Sequence, residues 1–412
     1  MVLKKSPVED PGNAKGQSDS LFGPGLLPIV FLALIFLLNF TGRIILAPLL
    51  PIIEKELEIS HGQAGSFFFL ISAGYVIGLV ASGFWAPRTT HKFIIVVSGA
   101  GVGLGLLGIS LAGGLGTIRL GLFAIGFAAG LYIPSAIATI TALIEPPHWG
   151  KAIAVHELAP NVAFVIGPFA AQAFLEWSTW RMALAVVGTA AVSASLAYCR
   201  FGRGGNFPGQ SPASSAFRLL MRTPAFWLML ALFGLGISAT IGVYAMLPLY
   251  LVSERQMDQS WANTVVALSR LHGPILGLVG GLVSDRLGPK ETIVASLAFT
   301  GGVTLLLGLT PHPWMNAVVL FQPLLAVWFF PAAFAVLAAI TRPEARNLAV
   351  GFSVPVGYMI GGGGVPTFIG IMGDAGSFAL GFVVTGIVIG CGGALALLLK
   401  LPDRPQTSGL NL

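Results

Sequence analysis

Four ionisable side chains lie inside long apolar stretches of this sequence: Arg43, His156, Glu157 and Arg270. A charge at the centre of a membrane helix costs about 2.5–3.5 kcal/mol or more, so a charge found there predicts a functional site. The two arginines belong to opposite halves of the chain. A guanidinium presents a planar fork of donors that fits a carboxylate or a phosphate. Arg43 and Arg270 therefore predict a positively charged binding site for a small anion.

His156 and Glu157 place an imidazole beside a carboxylate within one apolar stretch. Histidine changes its charge in the physiological pH range, and carboxylates and imidazoles inside membranes form proton relays. We expect this pair to load and release the coupling proton. Two alternatives stay open: Glu157 could cap a helix end and pair with Lys151 or His148, and either arginine could pair with Glu157 or with backbone carbonyls and only lock a closed state.

Further polar side chains fall on the helices that would surround an anion site. Asn39 lies one helical turn before Arg43 on the same face, and Asn161 lies one turn after Glu157. We expect six such residues to contact the substrate, although each alone is also compatible with a hydrogen-bonded packing residue. They are Asn39, Tyr132, Asn161, Tyr244, Gln322 and Tyr358.

The composition defines the elements that must position these residues. Of 412 residues, 55% are hydrophobic and only 9% are charged, and the mean hydropathy is +0.86. So few charges could not cover the surface of a water-soluble protein. The composition therefore excludes soluble, disordered and fibrous classes and predicts a polytopic membrane protein embedded in a lipid bilayer.

Twelve apolar stretches are long enough to cross a bilayer, which takes about 20 residues each. The predicted helices are 26–53, 62–86, 93–113, 118–143, 150–174, 180–199, 225–252, 260–284, 291–310, 314–340, 346–372 and 376–400. The longest connection, rich in Gly, Pro and Ser, is a predicted linker. The predicted domains are a tail (1–25), a six-helix bundle (26–199), the linker (200–224), a second six-helix bundle (225–400) and a tail (401–412).

The basic residues predict the orientation in the membrane. With the N-terminus in the cytoplasm, cytoplasmic segments hold 16 Lys and Arg residues and external loops hold 4, leaving Arg43 and Arg270 in the membrane. This bias predicts a multi-pass protein of the plasma (inner) membrane with both termini cytoplasmic. The net charge of +6 forms no basic stripe with interleaved aromatic residues, so we expect no nucleic-acid partner.

The sequence holds none of the spacings that carry common cofactor or catalytic chemistry. Its two cysteines, Cys199 and Cys391, form no CxxC motif or metal spacing. The glycine run 361–364 lacks the strand-turn-helix context of a nucleotide loop. We therefore expect no cofactor, no metal and no enzymatic activity, with any pumping driven by ion or substrate gradients.

Two segments repeat between the halves of the chain. GFWAPRTTHK (83–92) aligns with GLVSDRLGPK (281–290) at an offset of 198 residues, and AVHELAP (154–160) aligns with AVGFSVP (349–355) at an offset of 195. Parallel repeats of six helices are typical of transporters built from two related bundles around a central path.

These motifs resemble the major facilitator superfamily. The segment GGLVSDRLGPK matches the family signature Gly-x-x-x-Asp-Arg-x-Gly-x-Lys, and Gly126/Gly130/Pro134, Gly167-Pro168 and Trp180-Arg181 are similar to other family features. The resemblance covers about residues 25–400. It implies an all-α membrane protein with twelve transmembrane helices in two pseudo-symmetric six-helix bundles. It also implies a rocker-switch secondary transporter.

The resemblance assigns a gate to the signature residues Asp285, Arg286 and Lys290, with Arg88 in the first copy. Pro87 replaces the acid there, so the second copy is expected to carry more of the latch. Such a latch would hold the cytoplasmic side closed by contacts with the end of helix 11. The alternative is a loop that only fixes topology, because exposed ion pairs are individually weak.

The resemblance also suggests the substrate, because other transporters of this superfamily have arginines in the same helices. An arginine in helix 8 is similar to that of monocarboxylate and oxalate–formate transporters, and an arginine in helix 1 to that of organic-phosphate carriers. We therefore expect a proton-coupled transporter of small organic anions, such as monocarboxylates. A drug or lipophile exporter, an inorganic-anion transporter of the nitrate type and a non-transporting membrane sensor are the alternatives.

Overall fold

The computed structural model describes residues 26–209, 220–342 and 346–401. The predicted N-terminal tail, nearly all of the C-terminal tail and the middle of the predicted linker lie outside these ranges. Lys4, Lys5, Lys15, Arg218 and Arg404, which contributed to the charge count, lie there too.

Twelve helices in the described part are long and apolar enough to cross a membrane, which confirms the predicted fold class. The helices, numbered α1 to α12, are Leu26–Leu57, His61–Arg88, His91–Ser110, Leu115–Leu143, Pro146–Trp177, Trp180–Phe201, Pro224–Ser253, Gln259–Leu287, Pro289–Leu309, His312–Ile340, Leu348–Asp374 and Phe378–Ala396. Each predicted helix overlaps one of these, and most bounds differ by only a few residues. The predicted domain boundaries stay a prediction.

The helices run up and down, which gives the protein two ends. We call the end that carries the α6–α7 connection (residues 202–223) the linker side. The opposite end, with the loops at 58–60, 254–258 and 375–377, is the distal side. The helices α1 to α6 form the N-terminal bundle and α7 to α12 form the C-terminal bundle.

Glycines set the closest helix approaches in the N-terminal bundle. A Cβ atom at Gly126 of α4 would lie 2.0 Å from the Ile71 carbonyl oxygen of α2, and one at Gly78 would lie 2.0 Å from the Phe127 oxygen. Only a residue without a side chain allows backbones to pack this closely. These contacts hold α2, which carries site residues, in a fixed position against α4.

Two π-helical segments interrupt helices of the C-terminal bundle. They span Ser238–Gly242 in α7 and Tyr358–Gly364 in α11. The segments pack against each other, since a Cβ at Gly361 would lie 2.3 Å from the Ser238 nitrogen. A π-helical turn shifts the hydrogen-bond ladder and leaves backbone groups available to side chains.

The start of the linker folds onto the N-terminal bundle. Lys92 donates from its Nζ atom to the Gly202 oxygen over 2.9 Å, and the Lys92 amide donates to the Gly205 oxygen over 2.8 Å. Gly204 and Gly205 have φ angles of +85° and +75°, which favour glycine. Residues 202–209 are therefore an ordered extension of this bundle.

Candidate functional site

Arg43 of α1 is buried in a cage of three aromatic rings. Its Cζ atom lies 4.7 Å from the ring centroid of Phe40, 4.9 Å from that of Tyr75 and 5.5 Å from that of Tyr358. Such distances are typical of cation–π contacts. Its Nε and Nη1 atoms are buried and have no hydrogen-bond partner in the described part of the chain. The rings stabilise the cation while these donors stay unused.

Arg270 of α8 is also buried and caged by rings. Its Cζ atom lies 4.9 Å from the centroid of Phe164 and 5.2 Å from that of Tyr244. Its Nη2 atom donates to the Thr240 carbonyl over 3.2 Å, an oxygen within the π-helical segment of α7. Its Nε atom has no partner among the described residues. The alternative, in which backbone carbonyls hold the arginine in a closed state, therefore accounts for the Nη2 atom but not for the Nε atom.

Both cages draw on the two bundles. Arg43 belongs to the N-terminal bundle, and Tyr358 of the C-terminal bundle covers it. Arg270 belongs to the C-terminal bundle, and Phe164 of the N-terminal bundle covers it. Phe164 contacts Phe40 at a centroid distance of 5.2 Å and Tyr244 at 4.8 Å, so a chain of rings links the two cations. Any movement of one bundle against the other must change both cages.

A cavity of about 20 Å³ lies between the bundles beside Arg43. This volume holds about one water molecule, so an organic anion requires the lining side chains to separate. The Tyr244 hydroxyl is buried without a partner among the described residues. The lining consists of Phe40, Arg43, Ile44, Phe68, Ile71, Ser72, Tyr75, Ile241, Tyr244, Ala245, Tyr358 and Gly362. Arg270 does not line the cavity; it lies against the ring of Tyr244.

His156 of α5 is fully buried and connects to α1 through Tyr132 of α4. The Tyr132 hydroxyl donates to the Leu32 carbonyl over 2.6 Å and lies 3.1 Å from His156 Nε2. Because the hydroxyl proton is used on Leu32, Nε2 must be the donor in the second contact. The imidazole also stacks on Phe36 at a centroid distance of 4.6 Å. The other imidazole nitrogen, Nδ1, is left without a contact to Tyr132 or Leu32.

Glu157 faces that nitrogen. Its Oε1 atom lies 3.2 Å from His156 Nδ1, and its side chain is 49% exposed, whereas that of His156 is 0% exposed. The carboxylate lies within electrostatic range of the Tyr75 and Tyr358 hydroxyls, which border Arg43. None of the ion pairs in the described ranges joins Glu157 to Lys151, His148 or either arginine. Glu157 thus connects the fully buried imidazole with the exposed surface of α5.

Three other candidates are occupied by hydrogen bonds away from the cavity. Asn39 donates to Ser98 of α3 over 3.1 Å. Gln322 donates to the Ala239 oxygen of the π-helical segment over 2.8 Å. Asn161 donates to the backbone carbonyl oxygen of Glu157 over 3.2 Å, and the Asn161 Oδ1 atom would lie 3.1 Å from a Cβ added at Gly273 of α8. Asn161 alone of these lies at the boundary between the bundles; substrate contact by any of the three stays a prediction.

The predicted gate residues make no hydrogen bond or ion pair between the bundles within the described ranges. Arg88 donates to the Phe84 oxygen of its own helix over 2.7 Å, and Lys290 donates to the Leu397 oxygen at the end of α12 over 2.7 Å. Asp285 and Arg286 are exposed, and no hydrogen bond or ion pair joins them to the described residues. The latch between these residues and α11 therefore stays a prediction for another conformation.

A carboxylate on the distal side joins the bundles instead. Asp374 at the end of α11 accepts hydrogen bonds from Ser60 Oγ over 2.7 Å, from the His61 amide over 2.8 Å and from the Gly62 amide over 2.9 Å. Ser60 is also the N-cap of α2, in a capping box with Gln63. The sequence did not indicate a role for Asp374, because a capping box does not indicate a partner more than 300 residues away.

A second set of distal contacts joins α8 to the N-terminal bundle. Asn263 donates to the Pro48 oxygen of α1 over 3.4 Å and to Gln172 Oε1 of α5 over 3.1 Å, and Gln259 donates to the Pro48 oxygen over 3.4 Å. The hydrogen bonds between the bundles in the described ranges thus gather on the distal side.

The aromatic cages around Arg43 and Arg270 were not predicted from the sequence either. Phe40, Tyr75 and Phe164 are apolar or weakly polar residues on apolar helices, where most such rings only fill space. One usable signal exists: Phe40 lies three residues before Arg43, on the same helix face. Tyr75 and Phe164 come from other helices, and no spacing connects them with an arginine.

Comparisons with known proteins agree with this architecture. The family model of the Major Facilitator Superfamily matches residues 32–321 and 259–411. A bacterial homolog of the human lysosomal transporter Spinster, solved in an inward-facing and unoccupied conformation, superposes with a TM-score of 0.79 at 18% identity, covering 91% of this chain and 96% of that one. At this identity the likeness concerns the fold.

Three curated relatives carry different names. A probable sulfoacetate transporter of Cupriavidus necator is 22% identical over 90% of this chain and 92% of its own. A probable nitrate/nitrite transporter of Mycobacterium tuberculosis is 23% identical over 69% of this chain and 73% of its own. A chloramphenicol resistance protein of Streptomyces lividans is 24% identical over 65% of this chain and 69% of its own.

Proposed function

We propose that this chain, which belongs to the Major Facilitator Superfamily, is a proton-coupled secondary transporter of small organic anions that works by alternating access. The observation that carries the proposal is the state of the two buried arginines. Arg43 and Arg270 keep unpartnered N–H groups, and neither forms an ion pair with a described carboxylate. A buried cation without an acidic partner is costly, and a bound anion offsets that cost.

The site also fits alternating access. Each arginine is covered by a ring of the opposite bundle, so a bound anion would be released when the bundles rock and the cages open. Transporters of this kind bind their cargo near the bilayer midplane, between the repeats. The distal contacts of Asp374 and Asn263 belong to a state closed on that side.

The coupling proton is assigned to His156 Nδ1 and Glu157. One proton between these atoms makes their 3.2 Å contact a hydrogen bond. Loss of that proton leaves a lone pair facing a carboxylate, which favours the loaded pair. The 49% exposed carboxylate of Glu157 is the route by which the proton exchanges with water. The loaded pair is neutral overall and leaves the positive charge of the arginines available to the anion.

The orientation follows from the positive-inside rule. Among the described residues, 11 Lys and Arg lie on the linker side and 4 on the distal side, so the proposed orientation places the linker side and both termini in the cytoplasm. The proposed location is the plasma (inner) membrane. A state closed on the distal side is then closed towards the outside of the cell.

Two relatives support an anionic cargo, and one supports an alternative. The names of the sulfoacetate and nitrate/nitrite transporters describe anions, organic in the first and inorganic in the second. The chloramphenicol resistance protein, together with the aromatic lining of the cavity, favours a drug exporter as the second candidate. The buried arginines favour the organic anion over a neutral drug.

A ligand screen on the purified full-length protein tests the proposal. Monocarboxylates, dicarboxylates, sulfonates, phosphate, nitrate and chloramphenicol are each added while thermal unfolding is followed. A ligand at 100 times its Kd stabilises the folded state by about 2.7 kcal/mol, which raises the melting temperature. Stabilisation by an organic anion supports the proposal. Stabilisation by chloramphenicol alone, or by nitrate alone, would replace it with the corresponding alternative.

A further inference from the structure

We infer that the substrate carries two acidic groups, one for each arginine. The inference rests on the proposed function and narrows its substrate class from anions in general to dianions. Its starting point is the spatial separation of the two cationic anchors, each of which has its own aromatic cage.

The two guanidinium groups do not form one cluster. Arg43 lies over Phe40, and Arg270 lies over Phe164, with centroid distances of 4.7 Å and 4.9 Å. Phe40 and Phe164 touch edge to face at 5.2 Å. The cations are therefore joined by a path of two rings. A single small acidic group bound at one cage leaves the other guanidinium without an anion.

Charge balance favours a second acidic group. In the described ranges the ion pairs are His61–Glu54, His156–Glu157 and Arg181–Glu56, so both buried arginines lack an acidic partner. When the His156–Glu157 pair holds its proton, the site carries the two arginine charges and no net negative charge. A monoanion would leave one of these charges desolvated and unpaired, which is costly in a low dielectric. A dianion neutralises both.

Polar donors on the path between the anchors fit the same substrate. The Tyr244 hydroxyl borders the cavity next to Arg43, has no partner among the described residues, and belongs to a ring 5.2 Å from Arg270. An acidic group that accepts from Tyr244 would lie beside the free Nε of Arg270. The link between the acidic groups would then pass along the rings of Phe40 and Phe164, so it is expected to be apolar.

The experiment measures the affinity of matched pairs of anions by calorimetry on the full-length protein at neutral pH. The pairs differ in one acidic group: sulfoacetate against ethanesulfonate, and succinate against butyrate. Pairing a desolvated charge that otherwise lacks a partner corresponds to about 30-fold or more in affinity. In at least one of the two pairs, we expect the dianion to bind at least about 30-fold more tightly than its monoanion.

Single substitutions locate the second contact. Arg43→Gln and Arg270→Gln each remove one anchor, so each should reduce the dianion-to-monoanion ratio to near one. Arg200→Gln is the matched control, because Arg200 also lies over a ring, that of Phe201, but at the exposed end of α6. It should leave the ratio unchanged. Thermal unfolding checks that each variant folds, and Arg43→Met or Arg270→Met, which also removes the charge, replaces a variant that does not.

Equal affinities within both pairs in the unsubstituted protein would overturn the inference but leave anion transport standing. A ratio that survives in both arginine variants would overturn it as well, since the second acidic group would then bind elsewhere. Failure of every anion to bind would instead refute the proposed function, and this inference with it.

Discussion

Asp374 and Ser60 join the two bundles through a 2.7 Å hydrogen bond between a carboxylate oxygen and a serine hydroxyl. The same carboxylate accepts from two backbone amides at the start of α2. A carboxylate is favoured at a helix N-terminus by the unpaired amides and the helix dipole. Here the helix and the carboxylate belong to different bundles, so the cap acts as a latch on the distal side.

The first prediction concerns this latch. Asp374→Asn removes the negative charge and places an amide donor against the donors of α2. Hydrogen bonds to charged groups contribute about 1.5–3 kcal/mol each. The conformation that is closed on the distal side should therefore lose most of its population. The measurement is the distance between spin labels on Gly113→Cys and His312→Cys, on the distal side of opposite bundles, with Cys199 and Cys391 replaced by serine. This distance should lengthen.

Asp258→Asn is the control for the latch. Asp258 also caps a helix on the distal side, accepting from the Trp261 amide, but cap and helix belong to the same bundle. It should leave the distance distribution unchanged. If Asp374→Asn behaves like this control, Asp374 does not hold the bundles together.

The second prediction concerns the anion site. Arg270→Ala removes one partner of a desolvated charge pair, which costs about 2–5 kcal/mol, or roughly 30-fold to several thousand-fold in affinity. Arg270→Lys keeps the charge but not the planar fork, so it should bind weakly. Calorimetry with the ligand found in the screen measures both variants. Normal affinity in Arg270→Ala would exclude Arg270 from the site.

The third prediction concerns proton coupling. Glu157→Gln keeps the hydrogen bond to His156 Nδ1 through an amide but holds no exchangeable charge. Proton-driven accumulation in proteoliposomes should be lost, while exchange of substrate across the membrane should be partly retained. His156→Asn should have the same effect. Glu145→Gln, an exposed acid in a linker-side loop, is the control. Accumulation that survives with its pH dependence in both variants would place coupling elsewhere.

The fourth prediction concerns orientation. Nothing lies within 4 Å of a Cβ atom added at Gly150 or at Gly113, so cysteine fits at either position, on the linker side and the distal side respectively. With Cys199 and Cys391 replaced by serine, a membrane-impermeant maleimide should label Gly113→Cys in intact cells and Gly150→Cys only after lysis. The reverse pattern would invert the proposed topology.

The fifth prediction concerns helix packing. Gly126→Ala places a methyl group about 2.0 Å from the Ile71 oxygen, so α2 and α4 must separate. Overpacking costs typically about 1–3 kcal/mol, and the melting temperature in detergent should fall by several degrees. Gly108→Ala, where nothing lies within 4 Å of the added carbon, should melt like the unsubstituted protein. Equal melting of the two variants would contradict the close α2–α4 contact.

The sequence alone was sufficient to predict the membrane-spanning helices, because hydropathy along a stretch of about 20 residues is a local property. All twelve were predicted in order, and the internal repeat indicated two related bundles. Arg43, His156, Glu157 and Arg270 were also identifiable, since a buried charge is rare enough in such a sequence to be noticed without knowing its neighbours.

Only the tertiary structure decided what these residues contact. Each of these contacts joins residues of different helices. Arg270 donates to the Thr240 carbonyl of the π-helical segment and lies over the ring of Phe164. Arg43 lies over the ring of Tyr75, and the Tyr132 hydroxyl sets the proton on His156 Nε2. Asp374 lies 314 residues from Ser60. Contacts of this kind depend on how the helices pack, and helix packing is set by close approaches at glycines that local sequence patterns do not encode.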